Sequence, residues 1–190
     1  MSSHDAASRI SFVLCEPGHP GNIGSAARAI KTMGFRDLRV VNPREADYRT
    51  HPEAIDFATS SVDVLAQSRS YTSLEEALEG VTFAWALTGY DREFGPALTP
   101  LREAARAGRD WLEQEPGTVA FVERSGLTNE EVMLCQGAIA IACDPSSTSL
   151  NLAQAVQITA YEMHQTLLDT EGTRLYDWQT RFSHEPPASV

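Results

Sequence analysis

The stretch that decides the fold is residues 9–42, RISFVLCEPGHPGNIGSAARAIKTMGFRDLRVVN. RISFVLC (9–15) is a β-branched and aromatic run closed by Pro17 and Gly18, and it reads as a buried strand. A helix starts near Gly21 and Asn22 and runs through IGSAARAIKTMGF, with Gly34 as a natural C-cap. DLRVVN (37–42) is a second strand, stopped by Pro43. Strand, helix and strand in so short a span make a βαβ unit, so the sheet is mainly parallel.

The same pattern continues outward. PEAIDFA and VDVLAQS read as short helices, and SLEEALEG as a helix capped by Ser73 with Glu76 three residues on. VTFAWALTG (81–89), TVAFVE (118–123) and GAIAIAC (137–143) are buried strands. TPLREAARAGRDWLEQ (99–114) reads as a helix with Thr99 as N-cap and Pro100 at its first position. LTNEEVMLC gives a short helix capped by Thr128. SLNLAQAVQITAYEMHQTLL (149–168) is a long helix whose first half is apolar on more than one face. Such a helix is either central or pressed against a partner chain, and in a chain this small we favour a subunit interface. The expected organisation is a flexible N-terminus (1–8), one α/β domain (9–170) and a C-terminal tail (171–190).

Composition narrows the function. The 190 residues include 42% hydrophobic and 22% charged, an ordinary globular balance ample for one core. The net charge of -11 excludes a simple polycation that coats nucleic acid. Residues 1–43 nevertheless hold five basic groups (Arg9, Arg28, Lys31, Arg36, Arg39) against Asp5, Glu16 and Asp37, while the remainder carries the acidic excess. A basic quarter on an acidic body can steer an anion, or can simply be charge facing solvent. The odd, scattered cysteines (Cys15, Cys135, Cys143) suit a reduced, cytoplasmic compartment. No apolar run reaches the length of a membrane span, and no histidine or cysteine spacing suggests a metal site.

Three loops carry candidate chemistry. PGHPGNIGSAARA offers Gly18, Gly21 and Gly24 for close backbone approach, and a helix N-terminus that favours an anion. It is neither a P-loop nor a G-x-G-x-x-G fingerprint. Arg28 projects from the small residues Gly24, Ser25 and Ala27, which either leave room for a substrate or let the helix pack on the sheet. In FVERSGLTNEE, Glu130 and Glu131 suit the helix dipole, whereas Glu123 at a strand end is not explained by capping. In DPSSTSLNLAQAV, Ser149 is an acceptable N-cap, and Asn151 is a polar residue in an apolar first turn that wants a partner. Each loop follows a strand, and in a parallel sheet such loops gather at the carboxyl edge, where ligands bind.

Together, HPGNIGSAARAIKTMGFRDLRVVNP, SGLTNEE and SLNLAQAVQITAYE resemble the SPOUT (SpoU–TrmD) class of RNA methyltransferases, in particular the TrmJ-type tRNA/rRNA 2′-O-methyltransferases. The resemblance runs from about residue 9 to residue 168. It implies an α/β fold with a parallel sheet flanked by helices, a deep C-terminal trefoil knot and a homodimer with the active site at its interface. It implies S-adenosylmethionine as cofactor, bound bent by Thr88, Gly89, Tyr90, Val122, Ile141, Thr148, Ser149 and Leu150. The implied reaction is methyl transfer to an RNA ribose 2′-hydroxyl, with tRNA as the expected substrate and position 32 of the anticodon loop as the target in the best-known relatives. Arg28 would deprotonate the hydroxyl with help from a substrate phosphate, while Asn22, Glu123, Ser149 and Asn151 position the reactants. Arginine is a poor isolated base, so orienting a phosphate is its firmer role.

Two departures stand out. The family has F-G-x-E where this chain has Phe121-Val122-Glu123, one residue shorter and without the glycine that lets cofactor lie on backbone. After VTFAWALT the family is arginine-rich, and here the sequence is GYDRE. The chain also stops soon after the last long helix, where many relatives continue into a tRNA-binding extension. The alternatives are therefore a catalytically impaired knotted dimer that retains RNA or cofactor affinity, and a small-anion binder using only the GNIG loop.

Overall fold

The structure is a computed structural model that describes residues 2–88, 95–124 and 126–170, the last two by backbone alone. The chain opens with α1 (Ser3–Ser8), β1 (Ile10–Cys15), α2 (Pro20–Thr32) and β2 (Asp37–Val41). Then come α3 (Pro52–Ala58), α4 (Val62–Gln67), β3 (Arg69–Tyr71), α5 (Leu74–Ala77) and β4 (Val81–Leu87). The second half holds β5 (Leu98–Pro100), α6 (Leu101–Gln114), β6 (Thr118–Glu123), α7 (Asn129–Met133), β7 (Gly137–Ala140) and α8 (Leu152–Thr170).

The seven strands form one parallel sheet in the order β3-β2-β1-β6-β4-β7-β5. The chain first builds outward from β1 to β3, then returns to lay β4, β5 and β7 on the far side of β6. That reversal opens a crevice at the carboxyl ends of the central strands, the usual place for a ligand in such sheets. Every residue of β1 is buried, as a strand covered on both faces requires. Alternation then assigns the faces. Phe12, Leu14, Val119 and Phe121 join the core beneath α2, α6 and α8, while Val13, Cys15, Ala120 and Val122 pack on the opposite side with Leu127 and Val132.

Four details differ from the sequence reading. Residues 1–8, read as flexible, contain α1, because Ser2 accepts from Asp5 N and Ala6 is buried. Thr99 does not cap α6: Leu98–Pro100 is an edge strand pairing β7, and Pro100 precedes the helix. The exposed edge strand β3 was not anticipated. Finally, α8 is central within its own chain. Leu152, Ala155, Val156, Ala160 and Met163 are buried in the core shared with α2 and α6, so its apolar faces do not by themselves call for a partner. No helix among the described residues is long and apolar enough to cross a membrane.

Candidate functional site

A cavity of about 320 Å³ lies at the carboxyl ends of β4, β6 and β7. It brings together Thr88, Glu123, Ile141, Thr148, Ser149 and Leu150, all singled out from sequence. Gly89 and Tyr90 lie outside the described residues. Val122 does not line the cavity. Its side chain is fully buried among Val13, Ala86 and Ala120 on the other face of the sheet, as period-two alternation with Glu123 demands. The absent glycine therefore puts no side chain into this space. Cys143, read as buried, is half-buried at the cavity wall.

Glu123 is the unusual group. It ends β6 opposite Leu14, is 7% exposed, and makes no hydrogen bond or ion pair with the described residues. Burial alone pushes its carboxyl up to about 8. Its neighbour Arg124, which also lines the cavity, went unnoticed in the sequence. Arg124 donates to Glu131 Oε2 at 2.8 Å and to Glu16 Oε2 at 2.5 Å, tying the end of β1 to the start of α7. Glu131 also closes a capping box with Thr128, accepting from the Thr128 N–H at 2.7 Å. Glu131 thus serves the helix start as expected, and the same carboxylate holds Arg124 at the cavity.

The N-terminus of α8 is built differently from the expectation. Ser149 is not its cap. Asn151 takes that position: its Oδ1 accepts from Ala153 N at 2.9 Å, and its own N–H donates to Gln154 Oε1 at 3.2 Å. The N-x-x-Q spacing, a variant of the capping box, was the available signal. Asn151 Nδ2 also donates to Asn22 Oδ1 at 3.1 Å, the partner its polarity called for. This bond joins the starts of α2 and α8.

Beside that junction an open groove of about 640 Å³ is lined by Arg28, Ser25, Asn151, Gln154, Gln157 and Phe57. Phe57 is 51% exposed; an apolar residue on a short amphipathic helix gives no sequence sign of exposure. Gly24 serves packing, not ligand approach: a Cβ there would stand 2.0 Å from the main-chain oxygen of Ala54 in α3. The basic N-terminal quarter is not a basic face. Arg9 donates to the carbonyls of Leu112, Glu115 and Gly117, Lys31 and Arg36 both meet Asp63, and Arg39 is buried beside Asp37. Among the described residues, Arg28 is the member of that set whose guanidinium has no partner. His19 caps α2 by position and stands 3.6 Å from Glu53. No group of three metal-ligating side chains occurs among the described residues.

A parallel sheet covered on both faces, with a cavity at the carboxyl ends of β4, β6 and β7, is the architecture of an α/β domain that places its ligand site at that edge. The sequence profile of the SpoU rRNA Methylase family matches residues 9–161, and the chain belongs to that family. The "tRNA (cytidine/uridine/adenosine-2'-O-)-methyltransferase TrmJ" of Pseudomonas aeruginosa (strain UCBPP-PA14) is 41% identical over 167 residues, covering 86% of this chain and 63% of the relative. The chain thus spans less than two thirds of that relative's length. A solved structure described as a "probable methyltransferase from Bordetella pertussis Tohama I" is 44% identical and superposes with a TM-score of 0.81, covering 87% of this chain and 98% of that one. The fold is shared more distantly with the SpoU methyltransferase AviRb from Streptomyces viridochromogenes in complex with the cofactor AdoMet, at 18% identity and a TM-score of 0.61, over 88% of this chain and 60% of that one.

Proposed function

We propose that this chain is an S-adenosylmethionine-dependent ribose 2′-O-methyltransferase acting on RNA, tRNA first. It works in the cytoplasm as a homodimer, with the segments around the cavity threaded as a trefoil knot. The observation that carries this reading is that one short segment lines both the cavity and the groove. Residues 148–150 line the cavity and Asn151, next in the chain, lines the groove that holds Arg28. A cofactor in the first and a substrate phosphate in the second would therefore be neighbours.

The cavity suits the cofactor by its size, its apolar wall of Leu87, Ile139 and Ile141, and a largely buried carboxyl without a partner among the described residues. When bound, S-adenosylmethionine supplies a methyl group on a sulfonium, a good leaving group, which leaves alignment and deprotonation of the hydroxyl to the protein. Thr148, Ser149 and Leu150 would hold the cofactor from the α8 side. Arg28 holds a phosphate of the substrate bidentately, and that phosphate shares the task of accepting the hydroxyl proton. The Asn22–Asn151 bond fixes the two helix starts between which the ribose sits. The impaired-dimer alternative drew on the missing glycine, and Val122 faces away from the cavity.

Transfer of tritiated methyl from S-adenosylmethionine into bulk tRNA tests the reading, with Arg28→Ala as control. Methylation at a ribose 2′-oxygen, position 32 being the first to map, is the expected result. No incorporation into any RNA, or full activity in Arg28→Ala, overturns the assignment.

A further inference from the structure

A carboxyl that is nine-tenths buried and without a partner destabilises the protein that carries it, so its presence needs a reason outside the fold. Glu123 is 7% exposed, and its side chain lies on the cavity side of β6. Each charged or titratable group that lines the cavity among the described residues is accounted for. Arg124, next in the chain, is held by Glu16 from the segment after β1 and by Glu131 from α7. Cys143 is the titratable residue that the strand-to-α8 segment adds to the lining, α8 contributes only the apolar Ala155, and Arg28 lines the groove instead. Among the described residues, Glu123 is thus a carboxyl without a partner at the wall of a cavity that we read as taking a cationic ligand.

We propose that Glu123 is the counter-ion for the sulfonium centre of S-adenosylmethionine, and that it sets the cavity's preference for the cationic donor over the neutral thioether left after transfer. The proposal rests on the cofactor reading above. In the free protein near neutral pH the carboxyl carries its proton, because burial alone raises its affinity for it. Entry of a fixed positive charge favours the carboxylate, and the proton leaves to solvent. Once the methyl group has gone to the ribose oxygen, the sulfur is neutral. The carboxylate is then uncompensated again, takes up a proton from solvent, and holds the thioether product less tightly than it held the donor.

Calorimetry on the full chain tests this with two ligands: S-adenosylmethionine, and S-adenosylhomocysteine, which keeps the amino-acid end and lacks the sulfonium. Titrations at pH 7 in phosphate and in Tris separate the heat of buffer protonation. The expected result is release of about one proton with the donor and about none with the thioether. Donor affinity rises by about tenfold per pH unit between pH 6 and 7.5, a slope absent for the thioether. Glu123→Gln, which mimics the protonated carboxyl in shape, loses the proton release and the slope while binding the thioether within about threefold of wild type. Equal proton release by both ligands, or an unchanged donor slope in Glu123→Gln, overturns the counter-ion role and leaves the cofactor reading standing. Binding of neither ligand at millimolar concentration overturns both.

Discussion

Replacing Gly24 by alanine separates the two readings of the small residues on α2. In the structure the added Cβ would stand 2.0 Å from Ala54 O, 2.8 Å from Ala54 C and 3.0 Å from Ala54 Cα. The obstacle is backbone, so no rotamer change can relieve it. Helix α3 must move away from α2 by more than about 1 Å to restore ordinary contact. Ala54 and Ala58, both fully buried, would go with it, as would Phe57 at the groove. Overpacking of this kind costs about 1–3 kcal/mol, and a main-chain obstacle belongs at the upper end. Against it, alanine gains about 1 kcal/mol over glycine in a helix interior. The expected net loss is about 2 kcal/mol, or about 4–8 °C in Tm for a chain of this size. Urea denaturation measures the first and calorimetric scanning the second. Affinity for S-adenosylmethionine, corrected for the folded fraction, should stay at the wild-type value. A variant as stable as wild type or more so refutes the packing argument, because helix propensity would then act unopposed. Normal stability with lost ligand binding would restore glycine as a site of ligand approach.

Three further outcomes follow from the site. Glu123 binds its proton more tightly when folded, up to about 8 against a usual 4.5, so the native state holds more protons than the unfolded state in between. Stability should therefore be highest below about pH 4.5 as far as this group is concerned, and fall by roughly 1 kcal/mol per unit as pH rises toward 8. Glu123→Gln should flatten that slope in urea melts across pH 5–8, and parallel curves would contradict the assignment. Arg28→Ala should lower kcat/KM on tRNA by about 10- to 100-fold, the worth of a charge-assisted contact, with tritium incorporation as the readout; an unchanged rate removes Arg28 from the reaction. Val122→Gly should leave cofactor affinity unchanged while costing about 3 kcal/mol of stability through lost burial and strand flexibility. Tighter cofactor binding by that variant would mean that Val122 does intrude on the ligand.

What could be read in advance depended on whether the signal was local. The β1–α2–β2 unit was legible because hydrophobic runs, Gly34 and Pro43 mark its boundaries within a few residues. Gly34 indeed takes a φ of +87° just past α2, where a side chain would be strained. Ser73 and Thr128 cap their helices as their spacing to Glu76 and Glu131 requires. The edge strands were not legible for a physical reason. Arg69–Tyr71 is exposed and polar, so nothing in its pattern demands a sheet, and Thr99–Pro100 carries a stronger local message for a helix start than for a strand. Strand order was equally beyond reach, since β1 pairs with β6 more than a hundred residues later.

The site followed the same rule one level up. That three loops meet at the carboxyl edge follows from a parallel sheet alone, and six of the residues named from sequence share one cavity. Which neighbours face that cavity follows from alternation: Phe121 and Glu123 take one side of β6, and Ala120 and Val122 the other. Applied to the sequence, period two would already have turned Val122 away once Glu123 was placed in the site. What alternation cannot supply is the state of a charge. Arg9, Arg28, Lys31, Arg36 and Arg39 are equivalent on paper, and only their partners separate them. Four are tied to carboxylates or main-chain oxygens, and Arg28 is left at the groove with no guanidinium partner among the described residues. Glu123 is the other unpartnered group among the described residues, a carboxyl whose obvious partner, Arg124, is held by Glu16 and Glu131. Among the described residues, these two unpartnered groups line the cavity and the groove that residues 148–150 and Asn151 line in turn. That pair of unpartnered groups, more than any motif, is what the proposed cofactor and substrate phosphate would answer.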